Sequence, residues 1–64
     1  MDKKSELIEK VENAVSMSAI LSSRGRDTRK YDDECTKLYK ECVDIGMEDA
    51  YRMGYKRACA SFGY

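Results

Sequence analysis

The middle of the chain carries the clearest pattern in the sequence, an apolar residue at every third or fourth position. The members of this stripe are Tyr31, Cys35, Leu38, Cys42 and Ile45. Spacings of three and four place side chains on one face of an α-helix, whereas a strand would alternate at every second residue. The residues expected on the solvent face are Lys37, Lys40, Glu41 and Asp44. The pattern predicts an amphipathic helix over residues 28–45.

Two further stripes with the same spacing flank this segment. The first consists of Leu7, Ile8, Val11, Ala14, Val15, Ala19 and Leu21. The second consists of Met47, Tyr51, Gly54, Tyr55, Ala58 and Phe62. They predict helices over residues 4–22 and 47–61, with Gly25 and Gly46 suited to the left-handed conformation that often follows a helix end. Because the chain has no proline, one long helix through Gly46 remains an alternative.

The start of the middle helix is the least certain boundary. Asp27, Thr28 and Asp32 each offer a side-chain oxygen that could accept a hydrogen bond from the free N–H groups of a first helical turn. The spacing alone does not choose among them.

No segment shows the alternation of a strand, so the expected fold class is all-α, a small three-helix bundle or helical hairpin in a single domain over residues 1–64. A chain of 64 residues buries only about 60% of the surface that its unfolded form exposes. The core of such a chain supplies only a few kcal/mol, and dimerisation is one way to complete the fold.

The composition indicates the cellular compartment of the protein. The chain carries 12 basic and 12 acidic residues, and its longest uncharged stretch, 13–23, is about half of what a membrane-spanning helix needs. Acidic and basic residues also interrupt any apolar signal core near the N-terminus. Three cysteines, an odd number, do not fit a secreted disulfide framework. These features predict a cytoplasmic protein with reduced thiols.

The cysteines offer little for catalysis or metal binding. Cys35 and Cys42 are seven residues apart, about 10.5 Å along a helix, which is too far for a disulfide between them. The chain has no histidine to complete a zinc site or to activate a thiol. We therefore expect buried structural thiols, no enzyme activity, no metal and no cofactor, and a redox or disulfide role for Cys59 is the minor alternative.

A basic loop is the best signal for nucleic-acid binding. It contains Arg24, Arg26, Arg29 and Lys30, with Tyr31 beside it as a possible stacking surface. The balanced total charge and the acidic residues 32–34 argue against an autonomous nucleic-acid domain. A helix-turn-helix register around Gly46 fails as well, because it would turn Glu41 and Arg52 toward the core. Nucleic-acid binding through this loop is the second hypothesis for function.

A row of small residues in the third helix, Ala50, Gly54 and Ala58, would allow another helix to approach closely. Tight internal packing is the favoured interpretation and a dimer seam is the alternative. Ser18, within the apolar stripe of the first helix, is a candidate crossing point.

Some apolar residues lie outside the three stripes and are candidates for contact with a partner. They are Met17, Ile20, Tyr39, Val43 and Met53. Methionine and tyrosine are enriched where proteins meet other proteins. The first hypothesis is therefore a non-enzymatic helical interaction module that acts as a regulator, inhibitor or accessory subunit of a larger protein partner, with a homodimer as a further possibility.

Overall fold

A computed structural model describes residues 2–61 and contains three helices, α1 (Lys3–Ser23), α2 (Arg29–Asp44) and α3 (Glu48–Ser61). Residues 2–61 include no strand. The helices form a three-helix bundle, which confirms the all-α prediction, and their boundaries lie within one residue of the predicted ones. Phe62, predicted to extend the third stripe, lies outside the described residues. Within the described part of the chain, no helix has the length and apolar character required to cross a bilayer.

The start of α1 depends on Asp2, which the periodicity did not single out. Its Oδ1 atom accepts a hydrogen bond of 2.7 Å from the backbone N–H of Ser5. This satisfies one of the N–H groups that a first helical turn leaves unpaired. The hydrogen bond from Ser5 lowers the pKa of Asp2 below its usual value.

Both connections between helices use the same glycine motif. Gly25 (φ 68°) and Gly46 (φ 71°) adopt the left-handed conformation that favours glycine. The following residue then donates a backbone hydrogen bond back across the helix end, from Arg26 to the Leu21 carbonyl at 2.8 Å and from Met47 to the Cys42 carbonyl at 2.7 Å. This Schellman arrangement ends each helix. α2 and α3 are therefore separate helices.

The start of α2 divides the capping task between two residues. Thr28 occupies the N-cap position, but its side chain makes no capping hydrogen bond. The Oδ1 atom of Asp27 instead accepts a hydrogen bond of 2.9 Å from the backbone N–H of Arg29. Asp32 lies within the first turns of the helix, where its Oδ2 atom accepts a hydrogen bond of 2.7 Å from the Thr28 hydroxyl.

The core is small and is centred on α1. Its buried apolar residues are Leu7, Ile8, Val11, Ala14, Leu38, Cys42, Ala50 and Ala58. The tightest interface joins α1 to α3, and the loosest joins α2 to α3. The close approach of α1 and α3 occurs where Gly54 meets Ile8 and Val11, so the small-residue row is internal packing. Ser18 lies two turns beyond Val11, and its hydroxyl is bonded to α2.

Three predicted positions differ from the structure. Ile45 and Tyr55 were assigned to core stripes, but they are 44% and 48% exposed. Ile45 is the C-cap of α2, where the chain already turns away from the core, and Tyr55 lies where α3 borders an open groove. Glu41, predicted on the solvent face, is half-buried and forms an ion pair of 2.9 Å with Lys3 of α1.

Candidate protein-interaction surface

An open groove of about 640 Å³ lies among the C-terminal half of α1, the N-terminal half of α2 and the C-terminal half of α3. We call it the tyrosine groove. Its lining residues are Val15, Ser18, Ala19, Ser22, Asp32, Cys35, Tyr51, Tyr55, Ala58 and Cys59. The lining is mostly apolar or aromatic, with the carboxylate of Asp32 as its one charged group. Mostly apolar linings with a few polar groups are typical of binding surfaces.

The groove follows from the sizes of the residues that meet there. The short turn over residues 45–47 holds one end of α2 against α3, and Tyr39 packs edge-on against Tyr51 near the middle, with ring centroids 5.1 Å apart. Beyond that contact, α1 and α3 contribute small side chains such as Ala19 and Ala58. Because none of these fills the space between the helices, the bundle remains open at the end where α2 begins.

A polar clamp fixes one wall of the groove. The Ser18 hydroxyl of α1 donates a hydrogen bond of 2.9 Å to Oδ1 of Asp32, and the Thr28 hydroxyl donates one of 2.7 Å to Oδ2. The two bonds tie the start of α2 to the C-terminal half of α1. They also hold the carboxylate at the groove with acceptor capacity to spare, since each carboxylate oxygen can accept more than one hydrogen bond.

Three tyrosines form a continuous row along the groove. Tyr51 is half-buried and contacts Tyr39 on one side and Tyr55 on the other, at 5.1 and 6.2 Å between ring centroids. Tyr39 and Tyr55 are each about half exposed. Burial and the neighbouring tyrosine and cysteine groups raise the pKa of Tyr51, so its phenol stays neutral and able to donate a hydrogen bond.

The five predicted partner-contact residues are divided among separate surfaces. Tyr39 and Val43 lie one turn apart on the same flank of α2, and both are more than 40% exposed. Of the two, Tyr39 contacts Tyr51. Met53 is also 41% exposed, but it lies about 200° around α3 from Tyr51, on the opposite flank. Met17 and Ile20 belong to a different helix, α1. Met17 is 37% exposed and Ile20 is half-buried.

The periodicity missed Tyr51 and Tyr55 as surface residues, because both fit the apolar stripe of α3. A signal for them does exist in the sequence. Tyr51 and Tyr55 of α3 line the groove together with small residues of α1, such as Ser18 and Ala19. Large side chains opposite small ones leave unfilled space wherever a third helix does not close it.

The basic loop lies at the same end of the bundle as the groove. Arg24, Arg26, Arg29 and Lys30 are all exposed. Two of these side chains have partners, since Arg29 pairs with Asp27 at 3.5 Å and the ammonium of Lys30 lies 5.6 Å from the ring centroid of Tyr31. The loop therefore presents positive charge that is partly neutralised from within.

The three cysteines are free thiols in different environments. Cys42 is fully buried in the core, whereas Cys35 and Cys59 are half-buried and line the groove. Desolvation by burial raises the pKa of Cys42, and burial together with Asp32 and Glu34 raises that of Cys35. Across residues 2–61, the side chains of His, Cys, Asp and Glu form no cluster of three that could hold a metal ion.

Comparison with known proteins adds no relative to these observations: no family model, no curated protein and no solved structure matches the chain.

Proposed function

We propose that this chain is a non-catalytic, cytoplasmic protein-interaction module that acts as a regulator, inhibitor or accessory subunit of a larger protein. One observation carries the proposal: the tyrosine groove, with Tyr39 in contact with its Tyr51, is an apolar and aromatic surface that the chain's own helices leave open. Tyrosines supply a large contact area and a hydroxyl group at little cost in side-chain entropy, which is why they are common at protein interfaces.

The chemistry of the groove supports binding more than catalysis. A nucleophilic cysteine needs a depressed pKa or a neighbouring base. Cys35, on the groove wall, has a raised pKa and acidic neighbours, which disfavour its thiolate. Asp32 already accepts two hydroxyl hydrogen bonds, so its carboxylate has a structural role at the α1–α2 junction.

A pull-down with matched variants tests this function. The tagged chain is compared with Tyr55→Lys, which places a charge in the groove, and with Ala60→Lys, which places the same charge at an exposed site about 180° around α3 from Tyr51. We expect a stoichiometric protein partner that survives nuclease treatment and is retained by Ala60→Lys but lost with Tyr55→Lys. Equal capture by both variants would refute the groove as the binding surface.

A nucleic-acid-binding regulator is the second candidate, favoured by the exposure of Arg24, Arg26, Arg29 and Lys30 at one end of the bundle. Each phosphate that the loop neutralises would release counterions, so affinity would fall steeply with salt. Replacing the four residues with serine should then abolish binding, and nuclease should release every captured partner. A partner that is still captured after the serine replacements and after nuclease treatment would favour the protein-interaction module over nucleic-acid binding.

A further inference from the structure

We propose that a second copy of this chain occupies the tyrosine groove, in a two-fold symmetric dimer whose axis runs along the groove between α2 and α3. The inference rests on the proposed function in one respect, that the groove binds protein. It adds the identity of the molecule that occupies the groove when no other protein is present. Three independent features carry it: the size of the core, the arrangement of charges beside the groove, and the net charge of the chain.

The core is too small to make the monomer robust. Among residues 2–61, only Leu7, Val11 and Cys42 are large side chains that are fully buried, and three of the eight buried apolar residues are alanines. Chains of this length obtain only a few kcal/mol from a core, and oligomerisation is one of the usual remedies. Covering Tyr39, Tyr51 and Tyr55 would bury a row of tyrosines of which the two outer members are about half exposed.

Charged residues border the groove on both α2 and α3. Along the groove, the order of acidic and basic residues on α2 is the reverse of that on α3. On α2, Asp33 lies about 100° around the helix from Asp32, and Lys40 lies about 100° around it from Tyr39. Asp32 and Tyr39 are on the groove side, and the two charged residues point further outward. They are about 10.5 Å apart along the axis. On α3, Lys56 lies beside Tyr55, and Glu48 is about 12 Å away toward the start of that helix. Arg52 lies between these two residues in the helix, next to Tyr51 and Tyr55. All five side chains are exposed.

The Tyr39–Tyr51 contact sets the level of one helix against the other. Measured along the axis from that level, Asp33 and Lys56 lie about 9 and 7.5 Å toward the open end of the groove. Lys40 and Glu48 lie about 1.5 and 4.5 Å toward the closed end. Asp33 of α2 therefore lies at nearly the same level as Lys56 of α3. Lys40 of α2 likewise lies close to the level of Glu48 of α3.

A two-fold axis parallel to the groove preserves these levels and exchanges the helices, so α2 of one copy faces α3 of the other. Asp33 then meets the second copy's Lys56, and Lys40 meets its Glu48, each pair occurring twice. These four charges form a polar rim around an aromatic centre, as in most protein interfaces. Within that centre, Arg52 lies about 1.5 Å from the level of the second copy's Tyr39. Because the chain's net charge is zero, the two copies do not repel each other at long range.

The area required is compatible with the size of the molecule. A standard interface buries about 800 Å² on each partner, which is about a sixth of the 4656 Å² that this chain exposes. The molecule extends 34 × 22 × 18 Å, so one long face of the bundle is sufficient.

Charge reversal in matched pairs tests the dimer. The acidic variant carries Lys40→Glu with Lys56→Glu, and the basic variant carries Asp33→Lys with Glu48→Lys. In either homodimer all four contacts join like charges, whereas a mixed dimer restores all four as opposite charges. By sedimentation equilibrium, we expect the parent to have twice the 7.4 kDa mass, each variant alone to dissociate at least about tenfold more readily, and the equimolar mixture to recover the parent's affinity.

Lys37→Glu is the control, because Lys37 is exposed on the flank of α2 opposite Tyr39 and should leave dimerisation unchanged. Tyr55→Lys gives a second variant that weakens the dimer through its aromatic centre, and circular dichroism establishes that each variant is folded. A parent that is monomeric at about 100 µM, or a mixture no tighter than its components, would overturn the dimer.

The same measurements separate the two proposals. A monomeric parent that still captures a partner lost by Tyr55→Lys would end the dimer and leave the proposed function intact. A dimer that responds to charge reversal while capture is indifferent to Tyr55→Lys would end the proposed function at this surface. In that case the groove would serve self-association only.

Discussion

Gly54 of α3 lies against Val11 of α1 so closely that a methyl group on Gly54 would come within 2.7 Å of the Val11 Cβ atom. The same methyl group would come within 2.7 Å of the backbone oxygen of Ile8, which cannot move aside without shifting α1. This contact sets the separation of α1 and α3. It therefore determines where α3 lies relative to α2 and how far the tyrosine groove opens.

Gly54→Ala should destabilise the protein although alanine is the better helix former. Helix propensity favours the change by about 1 kcal/mol, but overpacking a closed interface costs about 1–3 kcal/mol. We expect a net loss of about 1 kcal/mol in the free energy of unfolding, measured by urea denaturation. Adding Val11→Ala should make the two effects less than additive, because it removes one of the clashing groups. Strict additivity would contradict the close contact.

The Lys3–Glu41 ion pair predicts a pH-dependent contribution to stability. The hydrogen bond and positive charge of Lys3 lower the pKa of Glu41, and Glu41 in turn raises the pKa of Lys3. A lowered folded-state pKa means that the contribution of Glu41 is present above its unfolded value, near 4.5, and is lost as the pH falls through the folded value. Glu41→Gln should therefore lower the thermal midpoint at pH 7 and have little effect at pH 2.5.

Lys3 determines the alkaline side of this prediction. Because its pKa is raised, its contribution to stability disappears only as the pH rises above the ordinary value of 10.5. Both side chains keep more than 40% of their surface in contact with solvent, so 1 M salt should reduce the difference at pH 7. An exposed carboxylate on the same helix, changed in Asp44→Asn, is the control. Equal effects of Glu41→Gln at pH 2.5 and pH 7 would contradict the pairing.

The Asp32 clamp should contribute to the junction of α1 and α2. Asp32→Ala removes the acceptor of both the Ser18 and Thr28 hydroxyl hydrogen bonds. We expect a loss of about 1 kcal/mol in the free energy of unfolding, since exposed neutral-to-charged hydrogen bonds fall at the low end of their range. Ser18→Ala should cost less, and in the Asp32→Ala background it should cost nothing further. A full additional loss there would show that Ser18 does not act through Asp32.

Thiol reactivity should report both the fold and the occupancy of the groove. Cys42 is fully buried with a raised pKa, so iodoacetamide should alkylate it last and only through unfolding. Cys35 and Cys59 line the groove and should react earlier. If a second copy closes the groove, both should become slower to react as protein concentration rises, which mass spectrometry can follow residue by residue. Rates independent of concentration would argue against occupancy by a second copy.

The local sequence determined the helices and their ends. The spacing of Leu38 and Cys42, and of their equivalents in α1 and α3, predicted all three helices to within one residue, because helical periodicity is a local property of the chain. Gly25 and Gly46 marked the two connections for the same reason, since a left-handed residue strongly favours glycine. These features required no knowledge of how the helices pack.

Only the tertiary structure decided which apolar residues remain open to a partner. A stripe on one helix does not say how wide the gap to the next helix is, so Tyr55 was placed in the core although the groove leaves it exposed. The separation of α1 from α3 depends on Gly54 meeting Val11, and the level of α2 depends on Tyr39 meeting Tyr51. Each is a contact between residues distant in sequence. The helices were therefore readable from local spacing, whereas the groove is a property of their packing.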